Sequence, residues 1–245
     1  LAMNVLMPLI TLALVASFEL RPAVKIALVA LSISPVPPFL PEKQLRLCSS
    51  EAYVYGLFVA TAIVSVVLAP VAMILLGMRV PMDHPVSAGR VLGIVTLTVL
   101  APLLLSMLVR RIWPASSDRL GAVAHTAGGV ILVVALLPVL VAQWPAIRSL
   151  IGDGTLLAIV VFTLLGLLIG HMLGGPDAEG RTVLALATAS RHPAVALAVA
   201  SAAFPGERLV PAAVLLALLV GLIATAPYSS WRKRVHTALG KPTVT

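Results

Sequence analysis

Along the chain, apolar runs of roughly twenty residues, the length a bilayer's hydrocarbon core requires, recur eight times between short polar stretches. They cover 1–18, 23–47, 53–77, 90–109, 120–142, 155–174, 182–204 and 209–228. The pattern predicts an all-α polytopic membrane protein whose neighbouring spans, joined by short connections, pack antiparallel. Two runs are abnormal. The second reads AVKIALVALSISPVPPFLPEKQLRL and holds Pro35, Pro37, Pro38 and Pro41. A proline lacks the N–H of the helical ladder, and its ring clashes with the carbonyl four residues back, so this cluster ends any helix. The seventh run carries Arg191, His192 and Pro193 at its centre. Pro193 disfavours helix at the residue before it and takes a hydrogen-bond partner from Ala189. Lipid cannot satisfy the backbone groups freed at such breaks, so both must line a cavity enclosed by protein or filled with water.

The two breaks resemble each other. Ser32 stands three residues before Pro35, and Ser190 three before Pro193. Each broken run lies between two plain ones, and each following run ends in Ala-Pro, at Pro70 and Pro227. Five spans separate the breaks, so the two triplets cross the membrane in opposite senses. This predicts an inverted repeat with two discontinuous helices, and hence a secondary transporter with its site at the breaks. The simpler alternative is a pair of proline kinks, which would not account for four prolines together or for a mid-span arginine. The second half holds five spans and the first only three, so about eight of an expected ten are present, and the pattern predicts two further helices upstream of Leu1. The corresponding division is 1–77, span, broken span and span of the first repeat; 78–154, plain helices of the second repeat; 155–228, span, broken span and span of the second repeat; and 229–245, a basic cytoplasmic tail.

Composition agrees with a lipid environment. Of 245 residues, 60% are hydrophobic and 11% charged, against about half and a quarter in soluble domains. The net charge of +8 does not indicate nucleic acid, because the basic residues are not interleaved with aromatics and fall in the connecting segments. One side of the membrane receives Lys43, Arg46, Arg110, Arg111, Arg119, Arg181, Arg232, Lys233, Arg234 and Lys241. The other receives Arg21, Lys25, Arg79, Arg90, Arg148 and Arg208. The richer side is cytoplasmic by the positive-inside rule, which places the C-terminus there and predicts a multi-pass protein of the bacterial inner membrane. A lone cysteine, Cys48, excludes an intrachain disulfide. The aspartates at 83, 118, 153 and 177 all fall in loops, so no buried acidic pair offers metal or hydrolytic chemistry. Ser190 and His192 lack the context of a nucleophile and its base. The chain is therefore not expected to be an enzyme or to need a cofactor.

At the breaks the sequence resembles the bile acid:sodium symporter family. Residues 189–200, ASRHPAVALAVA, are similar to that family's crossover text, close to ETGMQNAGLALAIA. The stretch LSISPVPPFLP, with YVYGLFVATAIVSVVLAP after it, is similar to the other crossover and its following helix, where Cys-Pro-Gly-Gly precedes a polar half-helix. The resemblance covers nearly the whole chain. It implies the ten-helix inverted repeat shared with sodium/proton antiporters, a core domain holding the core helices of 1–77 and 155–228 and moving against a panel domain that includes the panel-type helices of 78–154, and transport of a small organic anion with Na+ or H+ as coupling ion. Bile acids, keto acids, sulfonates and vitamin precursors all suit that description. The departures are specific. Arg191 and His192 fall on the family's glutamine and asparagine, and Ala187 on its sodium-binding glutamate. Ser65 aligns with a sodium-ligand hydroxyl, while Thr61 lies one turn away and one position out of register.

The candidates for contact with substrate or coupling ion are Ser34, Pro35 and Pro37 at the first break, then Glu42, Lys43 and Gln44 in the half-helix after it. Thr61 and Ser65 on the next span, and Thr188, Ser190, Arg191 and His192 at the second break, complete the set. Sodium, if bound, belongs near Ser65 and Thr188. A charge at mid-bilayer is costly unless paired or hydrated, which makes Arg191 a functional candidate by default. Its expected partners are Glu42 or the carbonyls of Thr188 and Ala189. The competing role is structural, with the guanidinium tying up freed carbonyls. Thr188 and Ser190 either face the site or bond back to their own helix. Gly166, Gly170 and Gly174 form a small-residue ridge expected to bring two helices close together. Two other classes compete with a transporter. One is a membrane sensor or assembly subunit that keeps the transporter fold, although no soluble output domain is visible. The other is a relative of arsenite exporters, but Cys48 lies about a dozen residues beyond the break.

Overall fold

The computed structural model describes residues 2–37, 40–45, 51–77 and 88–238. Among these the chain is helical and contains no strand. A π-helical turn, Ala2–Leu6, leads into α1, Met7–Ser17, followed by α2, Pro22–Ile33, α3, Leu40–Leu45, and α4, Glu51–Gly77. Next come α5, Ala88–Val95, a second π-turn, Thr96–Leu100, and α6, Ala101–Ile112. The long α7, Pro114–Ser149, and α8, Thr155–Leu173, precede the broken pair α9, Ala178–Ala189, and α10, Pro193–Ala203; α11, Val210–Ala238, is last. Five helical stretches are long and apolar enough to cross a membrane: Leu92–Ile112, Pro114–Ser149, Thr155–Leu173, Ala178–Ala203 and Val210–Val235. Ala2–Ser17, Pro22–Ile33 and Ala52–Leu68 are shorter apolar helices. Each of the eight apolar runs thus corresponds to helix, in the architecture of a multi-pass helical membrane protein.

The ends of these helices follow local chemistry. Pro22, Pro114 and Pro193 each stand at a helix start, where a fixed φ helps and no N–H is missed. Asp177 caps α9, its carboxylate accepting from the N–H groups of Glu179 at 3.0 Å and Gly180 at 2.9 Å. Gly152, Asp153 and Gly154 all have positive φ and make the turn from α7 into α8. Both π-turns end two residues before a proline, Pro8 or Pro102. In π register the donor to a carbonyl comes from five residues on. Proline has none to give, so Met3 and Leu97 are the carbonyls deprived.

The core is built around the breaks. Met7, Leu28, Ile159, Ala196 and Ala213 belong to the largest apolar cluster, which joins α1, α2, α8, α10 and α11. A second cluster, including Met3, Val36, Leu40, Val54 and Leu186, lies on one side of the first break. A third gathers Ile33, Ala62, Val95 and Val199. By contrast, α7 turns Val130, Ile131, Val133, Val134 and Leu137 outward, each more than half exposed. Such a surface would be unfavourable in water and is ordinary against lipid tails.

The glycine ridge holds α8 directly against the α9 backbone. A Cβ on Gly166 would stand 2.9 Å from Ala189 Cα and 3.1 Å from the Thr188 carbonyl oxygen. On Gly170 it would stand 2.5 Å from Ala185 Cα, and on Gly174 it would clash with Arg181 Cα. The close packing expected of this ridge is therefore present. At the C-terminal end the structure departs from a basic tail starting at 229, because α11 continues to Ala238. Arg232 is buried there, donating from Nε to Thr182 Oγ1 at 2.6 Å and from Nη2 to the Ala178 carbonyl at 2.5 Å.

Candidate functional site

Both proline-marked breaks are non-helical. α2 stops at Ile33 and leaves Ser34–Pro37 outside helix, while α9 stops at Ala189 and leaves Ser190–His192 outside helix. Ser34, Ser190 and His192 have extended backbones. The breaks meet. The His192 N–H donates to the Pro35 carbonyl at 3.0 Å and to Ser34 Oγ at 3.1 Å. The Ser34 hydroxyl in turn donates to the Leu31 carbonyl at 2.8 Å. Backbone groups stripped of helical partners by proline thus satisfy one another across more than 150 residues of sequence.

Arg191 completes this junction. It is 5% exposed, and its Nη1 donates to the Ser34 carbonyl at 3.3 Å and its Nη2 to the Met3 carbonyl at 2.9 Å. These partners differ from those the sequence pointed to. The Met3 carbonyl is the one Pro8 deprives in the π-turn, and the Ser34 carbonyl lies in the first break. The Thr188 carbonyl faces Gly166 of α8. Nε of Arg191 is buried with no partner among the described residues. An orphaned buried donor costs about 1–3 kcal/mol, so the guanidinium is held with some of its bonding capacity unmet. No carboxylate pairs with it among the described residues; the Glu42 and Lys43 side chains lie outside them, as does Cys48.

The other candidates separate into groups. Ser34, Pro35, Arg191 and His192 come together at the junction. Pro37 and Ser190 line a small pocket of about 40 Å³ beside Arg191, between α2, α8 and α11, which is room for about one water molecule. Gln44 is buried and donates from Nε2 to the Val183 carbonyl at 2.7 Å, fastening α3 to α9. Thr188 bonds back to the Leu184 carbonyl at 2.7 Å, and Thr61 to the Phe58 carbonyl at 3.0 Å. Ser65 is buried, and its hydroxyl has no partner among the described residues. Among the described residues, the groups at the junction offer a sodium ion no free ligand set. The junction carbonyls already serve a guanidinium, the Thr188 hydroxyl is spent on its own helix, and Ala187 brings no carboxylate.

Two larger cavities flank the junction. One of about 300 Å³ is lined by Val36 and His192 from the breaks, Phe58 from α4, and Thr98, Val99, Pro102 and Ser106 from the second π-turn and α6. The other, about 430 Å³, lies beside the first π-turn and is lined by Met3, Asn4, Leu57, Thr61 and Leu184 among others. Reasoning from the sequence passed over Met3, Thr98 and Ser106. The available signal was a shared pattern, Val5-Leu6-Met7-Pro8-Leu9 and Val99-Leu100-Ala101-Pro102-Leu103, a lone proline inside an otherwise plain apolar run. No protein-family model matches the chain, and no curated protein matches it either.

Proposed function

We propose that this chain is the transport unit of a secondary transporter for a small organic anion, with Arg191 standing where a transporter of this design would hold at least one sodium ion. In this reading α2–α3 and α9–α10 are the two discontinuous helices of an inverted repeat like that of the bile acid:sodium symporters. The helices of 1–77 and 155–228 form the core, those of 78–154 belong to the panel, and the C-terminus faces the cytoplasm of a bacterial inner membrane.

One observation carries the proposal. The Arg191 guanidinium donates to two backbone carbonyls, Met3 and Ser34, freed by proline in two different segments. Such carbonyls need a cation or a strong donor, and a buried ion would serve equally well. Arginine keeps its charge even in low dielectric, so it is a cation that cannot leave. No acidic partner cancels it among the described residues, and a positive junction favours an anionic substrate. The cavity of about 300 Å³ beside His192 is at the lower end of the range for small-molecule sites. Its apolar walls and few hydroxyls suit a compact acid with a hydrophobic body.

The test is uptake into proteoliposomes of a panel of labelled monocarboxylates, sulfonates and steroid acids, with sodium present or replaced by choline. Uptake by the wild type should be unaffected by the replacement. Arg191→Ala should abolish it, and Arg191→Lys should restore only part, since an ammonium cannot span two carbonyls with a planar fork. Strict sodium dependence with an unimpaired Arg191→Ala variant would overturn the proposal.

A further inference from the structure

His192 is fixed at the junction by its backbone, whose N–H is held by Pro35 and Ser34, so the residue cannot leave without breaking the contact between the two breaks. The ring lines the cavity of about 300 Å³, and among the described residues none of the others lining it is titratable: Val36, Phe58, Thr98, Val99, Pro102 and Ser106. Its Nδ1 is buried with no partner among the described residues. An imidazole held by a structural hydrogen bond would show that bond at one ring nitrogen or the other. Here the structural work is done by the backbone N–H, which leaves the ring free for another task.

The charges around it define that task. Arg191, the preceding residue, lines the smaller pocket rather than this cavity and is a fixed cation bonded, among the described residues, only to carbonyls. The described charged or titratable side chains on the elements packed nearby are Lys25 on α2, Tyr53 and Tyr55 on α4, Arg90 on α5, Arg110 and Arg111 on α6, and Tyr228, Arg232, Lys233 and Arg234 on α11. Glu207 and Arg208 follow α10. None of these lines the cavity. Glu42 and Lys43 on α3, and Glu51 on α4, have side chains outside the described residues. The fixed charge of Arg191 favours an anion in the cavity and opposes a second positive charge beside it. An anion in the cavity reverses that opposition, so anion and proton strengthen each other's binding by the same factor.

We propose that His192 takes up one proton together with one organic anion, which makes the proton the coupling ion of this transporter. The proton comes from bulk water on the side where the anion enters, rests on the imidazole while the anion is bound, and leaves with it on the other side. The transported unit is electroneutral, and Arg191 keeps its charge throughout. The inference rests on the organic-anion reading above and adds the coupling ion to it.

The test is calorimetric titration of the purified full chain near neutral pH in two buffers of different ionisation heat, with 4-methyl-2-oxopentanoate and benzenesulfonate as probes. The difference in heat counts the protons taken up. Wild type should take up one proton per anion bound, the stoichiometry proposed. His192→Gln, which keeps a hydrogen-bonding side chain, should bind with little or no uptake. Binding by the wild type without proton uptake, or equal uptake by His192→Gln, overturns the coupling proposal and leaves the organic-anion reading standing. Absence of binding of both probes to a folded wild type overturns the organic-anion reading, and the coupling proposal with it.

Discussion

Replacing Gly170 by alanine adds one methyl group where the structure has no room for it. An ideal Cβ there would lie 2.5 Å from both Ala185 Cα and the Leu184 carbonyl oxygen, and 2.8 Å from Ala185 N, whereas ordinary contact begins at 3.4 Å. All three atoms are α9 backbone, so no side-chain rotation relieves the overlap, and α8 and α9 must separate by 0.9 Å (3.4 less 2.5). A gap of about 0.5–1 Å already forfeits a quarter to a half of the dispersion attraction of the atoms involved. Overpacking of this kind costs about 1–3 kcal/mol, and the better helix propensity of alanine returns at most about 1 kcal/mol. A net loss of about 1–2 kcal/mol corresponds to a fall of roughly 2–8 °C in apparent Tm for a chain of this size. The assay is thermal unfolding of purified protein in detergent, followed by loss of the monodisperse peak. Gly56→Ala is the control, because its Cβ would meet nothing within 4 Å and should leave Tm unchanged or slightly raised. A Gly170→Ala protein as stable as Gly56→Ala would refute the account of the α8–α9 contact.

Arg232→Leu removes the donors to Thr182 Oγ1 and the Ala178 carbonyl that bind the end of α11 to the start of α9. It should cost about 1–3 kcal/mol, measurable as a lower apparent Tm, with part of the loss recovered in Arg232→Lys, because the two acceptors lie only 2.9 Å apart and one ammonium can serve both. Asp153→Asn, in contrast, breaks the 3.4 Å ion pair with Arg21, in which both side chains are largely exposed. Asparagine accepts the positive φ of 45° at that position, so stability should change by less than about 0.5 kcal/mol in the same assay.

How far the sequence determined this molecule depends on how far apart the interacting groups lie along the chain. Helix, break and membrane character are local properties. The apolar runs, the cluster from Pro35 to Pro41, and Pro193 act on backbone within a few residues, so eight helical segments and two interruptions were legible before any fold was known. The Gly166–Gly170–Gly174 ridge was legible for the same reason, since its spacing alone puts three absent side chains on one face. The partners of Arg191 were not. Sequence proximity pointed to Thr188 and Ala189, yet the guanidinium reaches Ser34 and Met3, 157 and 188 positions away. Which deprived carbonyl faces which donor depends on how α1, α2 and α9 pack, and the closeness of α8 to α9 turns the Thr188 carbonyl towards Gly166 instead. Likewise Arg232 looked like one charge of a basic tail, because burial against α9 requires that α11 continue past Pro227 and meet it. Local chemistry decided where hydrogen bonds would be missing, and only tertiary packing decided which groups replaced them.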